Sequence, residues 1–340
     1  MSDGKPPRAV TRNDVARLAG VSSAVVSYVV NGGPRPVAEA TKAKVLDAIE
    51  KLGYRPNAAA RSLITGRSDL IGLVVPDVRN PYFAALARAV ETQARAHGVN
   101  LVLAQGRTGG MAPLVESLSG HLVAGIIVST VPEPEAVAVV VRNRIPLVRL
   151  SIAVPETGGA AVWPDYYNGA RAAVEHLVEV HGHREVALVI GSDHPERTDE
   201  AMDERERGWR DALDHAGLPT RHVVRAFWSA DGGLDAAARL VAGHPEATAV
   251  FASSDQQAIG LLSGLHRAGR SVPDDLAVAS FDGSPEAAFT VPSLTTSSVP
   301  VADMAAEAVA VLLGEERAVR VHPTTLVPRE SCGCTPATGN

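Results

Sequence analysis

Thr11-Arg-Asn-Asp-Val-Ala-Arg-Leu-Ala-Gly-Val-Ser-Ser-Ala-Val-Val-Ser-Tyr-Val-Val-Asn31 reads as two short helices around a tight turn. Val15, Ala16, Leu18 and Ala19 recur at helical spacing and predict the buried stripe of the first helix. Gly20 can adopt the positive φ that a helix end requires. Val21 then plugs the core, and Ser22 is a good N-cap for the second helix, whose buried side is Val25, Val26 and Val29. A third helix is expected from about 38 to 52, closing on Gly53 and starting without a capping side chain at Ala38. Three helices in this order form a helix-turn-helix, which sets its second helix in the DNA major groove. The outward positions of that helix would be Ser23, Ala24, Ser27 and Tyr28.

The charge distribution supports a phosphate-facing module. The whole chain carries −6. Residues 1–67, however, hold eleven Lys and Arg against five Asp and Glu, a net +6, which leaves 21 against 33, or −12, for the rest. A basic module on an acidic body is the electrostatic footprint expected of DNA contact.

Beyond residue 70 the pattern changes. Compact apolar runs recur at 71–75, 101–104, 125–128, 147–150, 186–190, 223–227, 249–252 and 276–280, with Ala-rich helical stretches between most of them, such as 83–96, 170–180, 235–242 and 258–268. Alternating strands and helices predict parallel sheets, and uniformly apolar strands predict sheets covered on both faces. The length of 340 residues exceeds what one core serves, so two doubly wound subdomains fit better than the rival closed eightfold barrel.

The bulk composition narrows the function classes. Hydrophobic residues make up 46% and charged residues 21%, an ordinary globular balance. No apolar run reaches membrane-spanning length and the first ten residues lack a signal-peptide core, so a cytoplasmic location is expected. The two cysteines, Cys332 and Cys334, exclude a disulfide framework; with no second pair of ligands in the neighbouring sequence they read as an inert tail. His194, Glu196, Asp199, Glu200, Asp203 and Glu204 follow no metal spacing and read as a solvated loop running into a helix. No cofactor or metal is expected. Phosphate-binding loops, nucleophile elbows and zinc-protease motifs are absent, so the chain is not expected to be an enzyme. The alternatives are an α/β enzyme acting on sugars or nucleotides with a helical cap, and a stand-alone solute-binding protein.

Asp14-Val-Ala-Arg-Leu-Ala-Gly-Val-Ser22, Val26-Ser27, Asn31, Lys51-Leu-Gly-Tyr-Arg-Pro-Asn-Ala-Ala-Ala-Arg-Ser-Leu63 and Thr65-Gly66 closely resemble the LacI/GalR family of repressors. The resemblance continues through Ile71-Gly-Leu-Val-Val-Pro-Asp77, Asn80-Pro-Tyr-Phe83, Gly182-His-Arg, Arg205-x-x-Gly208, Ser254-Asp255, Phe281-Asp282 and Leu294-Thr-Thr296, in order along nearly the whole chain.

This resemblance implies an all-α helix-turn-helix DNA-binding domain at 1–56, a hinge helix and linker at 57–68, and a two-lobed, periplasmic-binding-protein-like α/β effector domain at 69–340. The first lobe would comprise about 69–164 plus 298–330, and the second about 165–297. It further implies a homodimeric repressor on a pseudo-palindromic operator, controlled by a small ligand, most readily a sugar. DNA contacts are expected from Thr11, Ser22, Ser23, Ala24, Ser27, Tyr28, Asn31, Tyr54, Asn57, Ala60, Arg61 and Leu63, with Leu63 as the minor-groove wedge. Tyr28 departs from the guanine-reading arginine many members carry, so the operator should differ from the commonest half-site. Effector contacts are expected from Asp77, Asn80, Phe83, Asp165, Asn168, Arg205, Trp228, Ser254, Asp255 and Asp282, at the carboxyl ends of strands where open sheets bind ligands. Ser254 stands in place of a frequent Asn, and Val299 where some members have Gln.

Overall fold

The computed structural model describes residues 10–31, 33, 36–55, 68–106, 110–120, 123–151, 160–196, 202–314 and 319–335. The chain divides into two compact units, Met1–Asp69 and Leu70–Asn340.

In the first unit, helices α1 (Arg12–Ala19), α2 (Ser23–Asn31) and α3 (Glu39–Leu52) enclose a core of Val15, Ala16, Val26, Val45 and Ala48. Thr11 opens α1 by donating its backbone N–H and its hydroxyl to the Asp14 carboxylate, at 2.9 and 2.6 Å. Gly20 ends α1 at φ 66°, and the Ser22 hydroxyl accepts the Val25 N–H at 3.4 Å, capping α2. Two expectations change. Leu18 is 52% exposed. At 3.6 residues per turn it lies about 100° round the helix from the centre of Val15, Ala16 and Ala19. Val30 packs against the core beside Val26 and Val29, whereas Val25 is half-buried outside that cluster. Helix α3 is preceded by Ala38, which gives no side-chain cap, and is followed by Gly53 at φ 62°.

The second unit contains two open six-stranded sheets, not a closed barrel. The first has the order β11-β5-β4-β3-β1-β2: Val319–His322, Ala160–Pro164, Leu147–Leu150, Gly125–Val128, Leu70–Val75 and Asn100–Gln105. The second has the order β12-β10-β9-β8-β6-β7: Thr325–Val327, Thr295–Ser298, Ala277–Asp282, Ala249–Ala252, Val186–Gly191 and Val223–Ala226. Of the strand pairs, β10–β12 is antiparallel and the others are parallel. Strands β3, β6, β8 and β9 are buried at every residue, as helical layers on both faces require. The edge strands of the first sheet are less covered: on β2 Val102 is 36% and Leu103 45% exposed, and on β11 Val319 is 55% and Val321 51% exposed, because one flank of each has no neighbour.

The chain passes between the sheets after β5, after β10 and between β11 and β12. The stretch 298–330 therefore does not return wholly to the first sheet. Strand β11 extends that sheet, while β12 crosses back and pairs with β10. The expected inert tail is also corrected: the turn Glu330–Cys332 packs on the second sheet, where Ser331 donates to Val278 O at 2.6 Å and Cys332 is 1% exposed. Among the described residues no helix is long and apolar enough to cross a membrane.

Candidate functional site

The carboxyl ends of strands in both sheets converge on Arg205. Asp203 caps the helix Glu204–His215, accepting the Arg205 backbone N–H at 2.8 Å. The same carboxylate takes Nε at 2.9 Å and Nη2 at 3.0 Å, a two-point clamp on a side chain 12% exposed. Arg205 Nη1 donates to Ser253 O, after β8, at 3.3 Å. A guanidinium has five N–H groups, so among the described residues these bonds leave one N–H on each terminal nitrogen. The guanidinium carbon lies 4.6 Å from the Tyr166 ring centre, 4.7 Å from Trp228 and 5.8 Å from Phe281. Such stacking fixes the plane of the cation.

The first sheet supplies the opposite wall. Tyr166 donates to Ser151 O at 2.8 Å, and the Tyr82 and Ser151 hydroxyls are hydrogen-bonded. Ser151, just after β4, holds φ 63°. Phe83 packs edge-on to Tyr82, with centroids 5.2 Å apart. Ser129, following β3, is 6% exposed, and its hydroxyl has no partner among the described residues. Tyr82, Phe83, Tyr166, Trp228 and Phe281 are five of the chain's thirteen aromatic residues. A cluster of aromatic rings around a few polar groups is the usual lining of a small-molecule site.

The electrostatics separate two carboxylates. Burial pushes Asp203 upward, but the Arg205 charge and hydrogen bonds outweigh it and hold the carboxyl below its ordinary value. Burial pushes Asp282 well above the carboxylate range; Asp255 adds to the shift and Arg205 opposes it. Asp282 ends β9 at φ 122°, a conformation that a non-glycine residue keeps only when its surroundings impose it. Burial also raises the Tyr82 and Tyr166 phenols, which therefore stay neutral.

The other expected effector residues are engaged locally. Asp77 accepts Arg79 N, Nε and Nη2 at 2.9, 3.1 and 2.8 Å, and Asn80 caps the helix Pro81–Ala96 by accepting Tyr82 N at 3.0 Å. Asp165 caps Tyr166–Glu175 and binds Asn168 through its N–H and its Nδ2, at 3.0 and 2.6 Å; Asn168 is exposed. Ser254 caps Asp255–Arg267. The Asp255 carboxylate is 1% exposed and accepts from Ser280 Oγ, Ser284 N and Ser284 Oγ at 2.6, 2.6 and 2.8 Å. It anchors the loop after Asp282. Sequence reasoning did not select Tyr82, Ser151, Tyr166, Asp203 or Phe281. Asp203 carried a readable signal, since it repeats two residues before Arg205 the spacing of Asp77 and Arg79.

On the helix-turn-helix, Ser22, Ser23 and Ala24 are exposed, and Ser27 and Tyr28 half-exposed. The Tyr28 ring lies against Gly33, where a Cβ would come within 2.3 Å of it. The Thr11 hydroxyl is held by Asp14, and Tyr54 packs against the helical core. Asn31 belongs to α2, but its side chain, with Asn57, Ala60, Arg61 and Leu63, lies outside the described residues.

The family model for bacterial regulatory proteins of the lacI family matches residues 11–57, and that for a periplasmic binding protein-like domain matches 174–332. The catabolite control protein A of Priestia megaterium is 35% identical over 89% of this chain and 91% of its own. A transcriptional regulator CelR–cellobiose complex aligns at TM-score 0.69 with 32% identity, covering 95% of this chain and 99% of that one. The lac repressor dimer bound to operator and the anti-inducer ONPF aligns at 0.82 with 26% identity, covering 96% and 99%.

Proposed function

The chain belongs to the lacI family of bacterial regulatory proteins, and from that premise we propose that it is a homodimeric repressor whose Arg205 cleft binds a carbohydrate. The observation that carries this reading is Arg205 itself, clamped by Asp203 between Tyr166 and Trp228 with Asp282 nearby. A fixed guanidinium and a carboxyl group suit vicinal hydroxyls, and an indole face suits the apolar side of a sugar ring. A solved family relative holds cellobiose.

Operator binding is assigned to 1–56, a DNA-ordered hinge to 57–68 and effector binding to 69–340, in a cytoplasmic protein. The +6 charge of residues 1–67 favours phosphate, and the lac repressor relative is a dimer on its operator. Ser23, Ala24 and Tyr28 are a weak set for direct base readout. Phosphate contacts and a Leu63 wedge would then carry more of the affinity. Val102 and Leu103 on the exposed edge strand β2 are suited to a subunit contact. The effector shifts DNA affinity only through its different affinities for the two arrangements of the lobes.

The test is a gel shift of the full chain on the DNA upstream of its own gene, with a panel of mono- and disaccharides. The expected result is a shifted band at low salt that one sugar class removes. Failure to shift any such fragment, with or without sugars, refutes the reading. Leu63→Ala should weaken operator binding while leaving sugar binding unchanged; equal losses refute the wedge.

A further inference from the structure

We propose that His176, His181, Cys332 and Cys334 form a structural zinc site that fastens the carboxyl-terminal turn to the second lobe. These residues belong to neither the cleft nor the helix-turn-helix.

The two histidines stand at either end of the π-helical turn His176–Val180, which continues the helix Tyr166–Glu175. A π turn closes i→i+5 bonds. The wider turn brings residues five apart together: the imidazole centroids are 4.9 Å apart and the two Nε2 atoms 3.2 Å apart. The two cysteines flank Gly333, whose φ of 98° is a conformation that favours glycine. A Cβ on Gly333 would lie 3.4 Å from His181 Nδ1, so this turn rests directly on the imidazole.

The four donor atoms then converge. Cys332 Sγ and Cys334 Sγ each lie 3.4 Å from His176 Nε2, and Cys334 Sγ lies 3.4 Å from His181 Nε2. All four lie within 4.8 Å of one another. Zinc bonds of about 2.3 Å to sulfur and about 2.05 Å to nitrogen give tetrahedron edges of about 3.3 Å between nitrogens and about 3.6 Å between nitrogen and sulfur. The three distances from His176 Nε2 and that from Cys334 Sγ to His181 Nε2 come within about 0.2 Å of the edges of that tetrahedron before any ion is placed. Hydrogen bonding explains them less well. An imidazole Nε2 offers one proton or one lone pair, yet His176 Nε2 is crowded by His181 and both sulfurs.

Donor chemistry selects the ion. Two thiolates and two imidazoles are the soft, mixed N/S set that zinc takes in closed structural sites. A two-iron cluster with this ligand set would put the cysteines on one iron and the histidines on the other; contacts of 3.4 Å between both sulfurs and His176 are too short for that. Four protein ligands leave no open position, so the role is structural. The chain's two cysteines are both spent here. The site would secure the chain just beyond the β11-to-β12 crossing, at the opposite end of the Tyr166–Glu175 helix from the cleft.

The test uses the full chain, freed of any affinity tag and purified with reductant but without chelator. Mass spectrometric metal analysis should find about one zinc per chain, falling to about a tenth or less in Cys334→Ser and in His181→Asn. Cobalt(II) loaded into the metal-stripped wild-type chain should show tetrahedral ligand-field bands and thiolate-to-cobalt charge transfer. That spectrum decides the matter even where a variant fails to fold. Less than about a tenth of a zinc together with no cobalt spectrum overturns the proposal. So does a purified wild-type chain whose intact mass is lower by two hydrogens, which marks a Cys332–Cys334 disulfide instead.

Discussion

Asp203 grips Arg205 with both carboxylate oxygens, at 2.9 and 3.0 Å, while accepting the Arg205 backbone N–H at 2.8 Å. Two residues adjacent but one thus cap a helix and aim a cation with a single carboxylate. Asp77 and Arg79 make the same local arrangement in the first sheet's lobe, but there the arginine side chain is 82% exposed, against 12% for Arg205. Burial under aromatic rings turns a common turn motif into a pre-aimed binding group.

Arg205→Ala should abolish the effector response and spare basal operator binding, read by gel shift with and without sugar. Asp203→Asn keeps the cap but loses the charge and one two-point bond. Effector affinity should fall about tenfold, a cost of about 1.4 kcal/mol, measured by calorimetric titration. Loss of operator binding in both variants would make the pair structural.

Asp282 gives a pH prediction. Its folded value lies well above the ordinary carboxylate value because of burial, then Asp255. A group raised on folding stabilises fully below its unfolded value, and that stability is lost as pH rises through its folded value. Asp282→Asn, a neutral mimic, should therefore raise the melting temperature by a few degrees near pH 8 and by much less near pH 4. It should also weaken sugar binding. An equal melting shift at both pH values would contradict the assignment.

Gly191, the last residue of β6, lies beneath Trp228; a Cβ there would come within 2.1 Å of the indole. Gly191→Ala must move the indole off Arg205. Sugar affinity should drop about tenfold or more while operator binding stays at the wild-type level, with a changed tryptophan emission in the free protein. Unchanged sugar affinity would remove Trp228 from the site.

Ala38→Ser should supply the cap that α3 lacks. A gain of about 1 kcal/mol would slow amide exchange in 39–52 about fivefold. Unaltered exchange would show that another group already satisfies those N–H donors.

Local sequence was enough for the elements with strong punctuation. Residues 125–128, 147–150 and 249–252 occupy the strand bounds expected of them, being short apolar runs between turns. Gly20 and Ser22 end and begin helices as their backbone chemistry dictates. Strand β10 was not legible: Thr295, Thr296 and Ser297 look polar in sequence and are fully buried, because Ser331, Arg329, Gly169 and Gly283 take up their hydrogen bonds. The destination of residues 323–335 also escaped sequence reading, since an antiparallel partner for β12 is chosen by the second sheet.

By itself, then, the sequence determined the order of its modules, the charge division between them and the family. Each of these is written in local periodicity, turn chemistry and composition. Only the tertiary structure decided which polar groups stay available. Asp255 and Asp282 look alike at strand ends, yet one is consumed by three hydrogen bonds and the other is held strained and protonation-prone near Arg205. Only the tertiary structure, too, joined His176 and His181 to Cys332 and Cys334 across some 150 residues of chain. Metal-site spacing is a relation in space, and a sequence shows it only where the ligands fall in one local motif.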